Sequence, residues 1–298
     1  MKKLLNTLYM TSENGYLGLD GETIVVYDEE KVVGKIPLHN LEGIVSFGYR
    51  GTSPALMGAC ADRNISLCYL TPQGKFLARV TGKTHGNVIL RDRQYTSSKD
   101  EKCSLEISKN CISGKVYNAR WVLERAIRDH AMQIDRERVK AASLQLKTFL
   151  QYIQNAESKE QLRGYEGEAA SIYFSVFNEL ILQQKKDFSF HGRSKRPPMD
   201  NVNAMLSFVY TLLTNQITSA LEVVGLDPCV GYLHTERPGR ASLALDLIEE
   251  FRAVYADRFV LSLINKKIIN KKTDYSALYI CQTKRIMPII KDTIATIK

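Results

Sequence analysis

Three separated stretches carry side chains that could act on one substrate. The first, LRGYEGEAASIYF, sets Glu166 between Gly164 and Gly167. The second, GYLHTERPGRASLALDLIEEFR, places His234 ahead of a Pro238-Gly239 turn and then Asp246 and Glu249 three residues apart. Residues at that spacing share a helix face, where two carboxylates repel each other. A divalent cation or an arginine would relieve the repulsion, and hard oxygen donors with one imidazole suit Mg2+ or Mn2+. The third stretch, RSKRPPMDNVNAMLSFVYTLL, brings Arg193, Lys195 and Arg196 together in a loop stiffened by Pro197 and Pro198, a cation set that can grip phosphates. Each stretch also has a plain reading. Glu166 and Glu168 can be solvated charges beside a helix-packing contact, DLIEE a solvated acidic face, His234 a structural imidazole, and the basic loop a wet connection. The residues alone leave both readings open.

These groups need elements to hold them. Ser158 and Gln161 form a capping-box pattern ahead of a helix whose apolar face runs through Leu162, Ala169, Tyr173, Phe177 and Leu180. Each of its two glycines costs a helix about 1 kcal/mol against alanine, so the pair around Glu166 suggests that another backbone or a ligand comes close. Asp200 is the expected N-cap of the helix after the basic loop. SLALDLIEEF is an amphipathic helix with Leu243, Leu247 and Ile248 as its apolar contacts. Two more helical periods pass through Trp121, Leu123, Ala126, Ile127 and Ala131, and through Leu144, Leu146, Phe149, Leu150 and Ile153.

The first third reads differently. Over residues 3–37, LLNTLYM, GYLGL, ETIVVYD and KVVGKIPL alternate apolar and polar residues around the turn signals Asn14-Gly15, Asp20-Gly21 and Asp28-Glu29, and the short β-rich pieces GIVSFGY, ISLCYL and GKFLARV follow, with SPALMGACADRN as a short helix among them. The fold class expected is therefore α+β with two domains: residues 1–85 mainly β, 86–100 a polar linker or helix start, and 101–298 an all-α domain bearing the chemistry. MPIIKDTIATIK suggests a terminal helix, and Lys266, Lys267, Lys271 and Lys272 form a charge run that is usually a wet face.

The 298 residues carry 41 Lys plus Arg against 32 Asp plus Glu, a formal charge of +9 that favours polyanionic partners. Six cysteines lack CxxC or zinc-finger spacing and read as reduced, mostly packed thiols of a cytoplasmic protein. The apolar start is broken too soon by Asn6, Thr7 and Ser12 for a signal peptide or membrane helix.

Together the three stretches, which run along the chain as LRGYEGEAASIYF, RSKRPPMDNVNAMLSFVYTLL and GYLHTERPGRASLALDLIEEFR, resemble the family of CRISPR-associated endonucleases and integrases that capture new spacers, the Cas1 family. SPALMGACADRNISLCYLTPQGKFLARV is similar to its N-terminal part, and LALDLIEEFR to the form found in subtype I-C systems. The resemblance implies a metal-dependent DNA endonuclease of antiviral defence, with Mg2+ or Mn2+ held by Glu166, His234 and Glu249. Asp246 matches an additional acidic position, which would orient a ligand or hold a metal-bound water. The reaction implied joins the 3′-hydroxyl ends of captured DNA duplexes, the protospacers, into the repeat array by transesterification. Arg193, Lys195, Arg196, Arg237 and Arg240 are the candidates for gripping DNA. The implied partners are double-stranded DNA, a second copy of the chain in a homodimer, and a Cas2 dimer bridging two such dimers into a heterohexamer. A stand-alone structure-selective metal nuclease and a non-catalytic DNA-binding scaffold are the alternatives, separable by the need for a second protein and by the effect of EDTA.

Overall fold

The structure is a computed structural model that describes residues 6–12, 14–72, 74–82, 88–195 and 197–269. The chain divides into two compact units, parted between His85 and Gly86. In the N-terminal unit the period-two segments form seven strands: β1 (Asn6–Met10), β2 (Gly15–Asp20), β3 (Thr23–Asp28), β4 (Lys31–Pro37), β5 (Leu41–Phe47), β6 (Ser66–Leu70) and β7 (Phe76–Val80). Strands β2, β3 and β4 make an antiparallel meander, whose turns place Gly21 and Glu29 at φ 56° and 58°. Left-handed residues of this kind match the twist of tight hairpins. The second sheet has the order β1-β5-β6-β7, parallel except for β7. Helix α1 (Pro54–Asp62) starts where the Ser53 hydroxyl accepts from the Leu56 amide at 3.2 Å. Leu17 and Ile24 of one sheet, Ile44 and Leu67 of the other, and Leu56 and Cys60 of α1 share one buried core.

The second unit is helical: α2 (Val88–Lys99), α3 (Glu101–His130), α4 (Arg136–Gln154), α5 (Lys159–Ser175), α6 (Asn201–Val223), α7 (Ser242–Phe251) and α8 (Arg258–Asn265). A π-helical segment, Arg252–Asp257, joins the last two. Local chemistry explains the starts. Asp100, Asp135, Ser158 and Asp200 each accept from the amide three residues on, at 2.7, 3.0, 3.2 and 2.7 Å, which satisfies an amide that the helix itself leaves unpaired. At α5, Gln161 reaches back to the amide of Glu157 at 2.9 Å rather than to that of the cap residue.

The helical faces correct the periodicity in places. Trp121 and Leu144 are about half exposed. Helix α4 buries Val139, Ala142, Ser143, Leu146 and Ile153, a stripe that Leu144 misses, while Trp121 lies outside the α3 stripe and stacks near Arg120, 5.4 Å from ring centre to guanidinium. The segment expected as a linker or helix start is the helix α2, fastened to its own unit: Gln94 donates to the carbonyls of Asp227 and Val230 at 2.7 and 3.1 Å, and Arg91 donates to that of Gly225 at 2.9 Å. The five described cysteines are free. Cys60, Cys68 and Cys111 are buried, whereas Cys103 and Cys229 are exposed. Among the described residues no helix is long and apolar enough to cross a membrane. Lys271, Lys272, Cys281 and the proposed terminal helix lie outside the described residues.

Candidate metal centre

Glu166 interrupts an apolar stripe. Helix α5 buries Leu162, Ala169 and Tyr173, and Glu166 lies between them at helical spacing, only partly exposed. A Cβ at Gly164 or Gly167 would meet no atom within 4 Å. No neighbouring backbone therefore explains this glycine pair. Space is left open beside the carboxylate, and Gly167 lines it.

His234 sits in the loop between α6 and α7, and Asp246 of α7 organises that loop. The Asp246 carboxylate is fully buried. Its Oδ2 accepts from the amides of Tyr232 and Leu233 at 2.6 and 3.1 Å, and its Oδ1 accepts from the amide of His234 at 2.9 Å. The same Oδ1 lies 2.6 Å from His234 Nδ1. A carboxylate only accepts, so Nδ1 carries the hydrogen, and in the neutral imidazole the lone pair is then on Nε2. The loop runs so close to α7 that only glycine fits at 231: a Cβ there would lie 2.7 Å from Ser242 Cβ and 2.9 Å from Asp246 Oδ2. Beyond the histidine, the Arg240 amide closes a turn on the Arg237 carbonyl at 3.0 Å, with Gly239 at φ 73°, the left-handed value that glycine adopts without strain.

Glu249, one helical turn after Asp246, is also buried. Its Oε1 pairs with Arg252 at 2.8 Å and its Oε2 with Lys115 of α3 at 2.7 Å. Burial pushes this carboxyl upward, but Lys115 and Arg252 outweigh it, with a smaller contribution from His234, and hold the group below the usual carboxylate range. Lys115 also contacts Glu166 Oε1. Its ammonium therefore stands between the two carboxylates.

Asp257 is a third buried acid. Asp257 accepts from the Tyr210 hydroxyl at 2.5 Å and from that of Tyr173 at 3.1 Å. Burial raises its pKa to about 6, against the opposing hydrogen bonds from the tyrosines and the charges of Arg252 and Arg193. The Tyr210 ring packs against both arginines, 5.3 Å from Arg193 and 5.0 Å from Arg252. Arg193 is further fixed by Asn203 Oδ1 at 2.7 Å.

A cavity of about 760 Å3 opens beside these groups and is lined by Lys115, Glu166, Arg193, Lys195, Tyr210 and Arg252, among others. Arg237 and Arg240 are not among its lining residues, and Arg196 lies outside the described residues. Lys115, Arg252, Tyr210 and Asp257 had not been singled out in the sequence. Lys115 was the most accessible of these, because it lies on the buried stripe of α3 that runs through Ser108, Cys111, Ile112 and Ala119.

The expected ligand set is a matter of donors and distances. Among the described residues no three His, Cys, Asp or Glu side chains stand as a metal ion would need them. The donor chemistry nevertheless fits a hard divalent cation. Two carboxylates already converge on a positive charge, the buried Oε2 of Glu249 makes no hydrogen bond despite its ion pair, and a nearby imidazole keeps a free lone pair.

A family model described as CRISPR associated protein Cas1 matches residues 8–281. The chain belongs to the Cas1 family. It is 49% identical over 282 residues to CRISPR-associated endonuclease Cas1 2 of Rhodospirillum rubrum, covering 93% of this chain and 81% of that protein. It is 47% identical over 272 residues to CRISPR-associated endonuclease Cas1 1 of Chlorobaculum tepidum, with 91% and 79% covered. Among solved structures, a Cas1 protein from Thermotoga maritima superposes with a TM-score of 0.74 at 24% identity, covering 90% of this chain and 81% of that one. A casposase bound to an integration product gives 0.73 at 24% identity, covering 90% and 75%. A chain of a Cas6-RT-Cas1–Cas2 complex gives 0.72 at 23% identity, covering 91% of this chain and 29% of that one. These structures share the Cas1 arrangement of an N-terminal β-rich part followed by helices.

Proposed function

We propose that this member of the Cas1 endonuclease family is a Mg2+- or Mn2+-dependent DNA endonuclease and integrase, with Glu166, His234 and Glu249 as the cation's ligands. The observation that carries the reading is the convergence of Glu166 and Glu249, from different helices, on one positive charge beside an imidazole fixed by Asp246. When bound, the cation supplies Lewis-acid polarisation of the scissile phosphate and stabilises the departing oxygen. The chain's own residues do the rest. Asp246 presents His234 in one tautomer. Arg252 keeps Glu249 ionised within the fold. Arg193 and Lys195 line the cavity next to Glu166 and bind the phosphates of the strand that enters it.

In the reaction, a 3′-hydroxyl oxygen of a captured duplex bonds to phosphorus at the edge of a repeat. The bond from that phosphorus to the repeat strand's own 3′ oxygen breaks, and the hydroxyl proton passes by way of solvent to the oxygen released. No nucleotide is consumed. With water as the nucleophile the same site cuts DNA, so nuclease and integrase are one chemistry. The casposase captured with an integration product and the Cas1–Cas2 assembly, both similar in fold, support strand joining and a Cas2 partner. Homodimers bridged by a Cas2 dimer belong to the same proposal.

The test is strand joining by the purified protein with its Cas2 partner, a short duplex, a repeat-containing plasmid and Mn2+. Glu166→Ala and His234→Ala should each abolish joining while the fold is kept. Normal joining by either variant would remove the ligand assignment.

A further inference from the structure

We propose that Lys115 is the site's built-in counter-cation: its ammonium holds Glu166 and Glu249 together until a divalent ion arrives, and must then give up that position. Ion binding is thus an exchange of one positive charge for another. The inference rests on the ligand assignment above.

Lys115 is delivered to this place by a close helix crossing. At Gly114 a Cβ would lie 2.8 Å from Glu250 Cγ, so glycine there lets α3 run against α7. Asn118, one turn on, donates to the Glu250 carbonyl at 2.8 Å and fixes the crossing in register. The ammonium between them meets Glu249 Oε2 at 2.7 Å and also contacts Glu166 Oε1, with the side chain only 14% exposed. An ammonium and a divalent ion cannot both occupy the space between the same two carboxylates, because like charges a few ångströms apart in a partly buried site repel strongly.

The surroundings suit departure. Glu249 keeps Arg252 on its other oxygen at 2.8 Å, so it is not stripped of positive charge when the lysine leaves. Lys115 also lines the cavity that holds Arg193 and Lys195. Swinging into that space, the ammonium joins the groups that meet an incoming phosphate. The exchange thereby couples ion entry to readiness for DNA.

A lysine with a purely structural role makes the opposite prediction, and this decides the experiment. Mn2+ affinity is measured without DNA, by the electron paramagnetic resonance signal of free Mn2+, for wild type, Lys115→Met, Lys115→Gln, Lys115→Arg and Glu166→Ala. Removing the competing charge in Lys115→Met should tighten Mn2+ binding by about tenfold or more. Lys115→Gln, which keeps a polar side chain should the Met variant fail to fold, should shift the same way. Lys115→Arg keeps the charge and should bind no tighter than wild type. Saturating Mn2+ should also raise the melting temperature more in Lys115→Met than in wild type. Unchanged or weaker binding in both neutral variants overturns the proposal, as does equal tightening by Lys115→Arg. Wild-type binding that Glu166→Ala leaves intact overturns the ligand assignment instead, and Mn2+ binding by no variant at all overturns both.

Discussion

Replacing Asp246 by alanine removes the acceptor of four donors at once: the amides of Tyr232, Leu233 and His234, and His234 Nδ1. The carboxylate is fully buried, and the Leu233 amide bond is buried with it, while those from Tyr232 and His234 are partly buried. A buried donor left unsatisfied costs about 1–3 kcal/mol, so three amides give roughly 3–9 kcal/mol, towards the lower end because two of them are only partly buried. That is a large share of the roughly 5–15 kcal/mol that holds a typical domain folded. At roughly 2–4 °C per kcal/mol for a unit of this size, the melting temperature should fall by at least about 6 °C. The functional loss should exceed what unfolding explains, because the imidazole is freed to rotate and change tautomer. Partners of this kind behind a metal-binding histidine are typically worth about 10- to 100-fold in affinity or activity. Differential scanning calorimetry gives the first quantity, and strand joining measured well below the variant's melting temperature gives the second. An alanine variant that melts within about 2 °C of wild type and joins strands at the wild-type rate would refute the reasoning.

Three further outcomes follow from the same geometry. Gly231→Ala forces a methyl group to 2.7 Å from Ser242 Cβ; overpacking of this kind costs about 1–3 kcal/mol, so calorimetry should show a lower melting temperature together with weaker strand joining. Asp257, with a folded pKa of about 6 against 3.8 for an unperturbed carboxyl, binds a proton in the folded state that the unfolded chain has already released. Its contribution to stability therefore grows as pH falls from 7 towards 4 and is lost as pH rises through 6. The charge costs about 3 kcal/mol at neutral pH, and the difference between wild type and Asp257→Asn in urea unfolding should shrink by about that amount between pH 7 and pH 4. Lys195→Ala should weaken DNA binding across sequences and reduce the slope of log affinity against log salt by about 1; an unchanged slope would remove Lys195 from the DNA contacts.

The β unit was legible because alternation and turn chemistry agreed along the first four strands, as at β2 and β3, where Asp20-Gly21 opens a turn that needs a left-handed residue, and the later three read as short β-rich pieces. The helix starts were legible for a similar reason. Asp200 and Ser158 act on amides three residues away, so their effect is local. Helix α2 was legible only as a linker or a helix start, since what holds it lies far off in the chain: Gln94 is buried by bonds to Asp227 and Val230. Trp121 and Leu144 misled because their apolar character says nothing about which side a neighbouring helix will take. In the site, Glu166, His234, Asp246 and Glu249 stood out as polar groups in apolar or turn settings. The sequence could not tell which acids share a neighbour. The structure gives Asp246 to His234 and links Glu249 to Glu166 through Lys115. Tyr210 gave no signal in the sequence, and its contact with two arginines comes from the loop before α6, which brings Arg193, and the helical segment after Glu249, which brings Arg252.

The central claim, that three side chains from separate parts of the chain hold one hard cation, is tested most directly by anomalous diffraction from crystals of the protein soaked in Mn2+. The account predicts a manganese peak within coordination distance of Glu166, Glu249 and His234 Nε2, with His234 Nδ1 still on Asp246 and the Lys115 ammonium drawn back from the carboxylates. A manganese peak bound elsewhere, or none between Glu166 and Glu249 at saturating Mn2+, would contradict it.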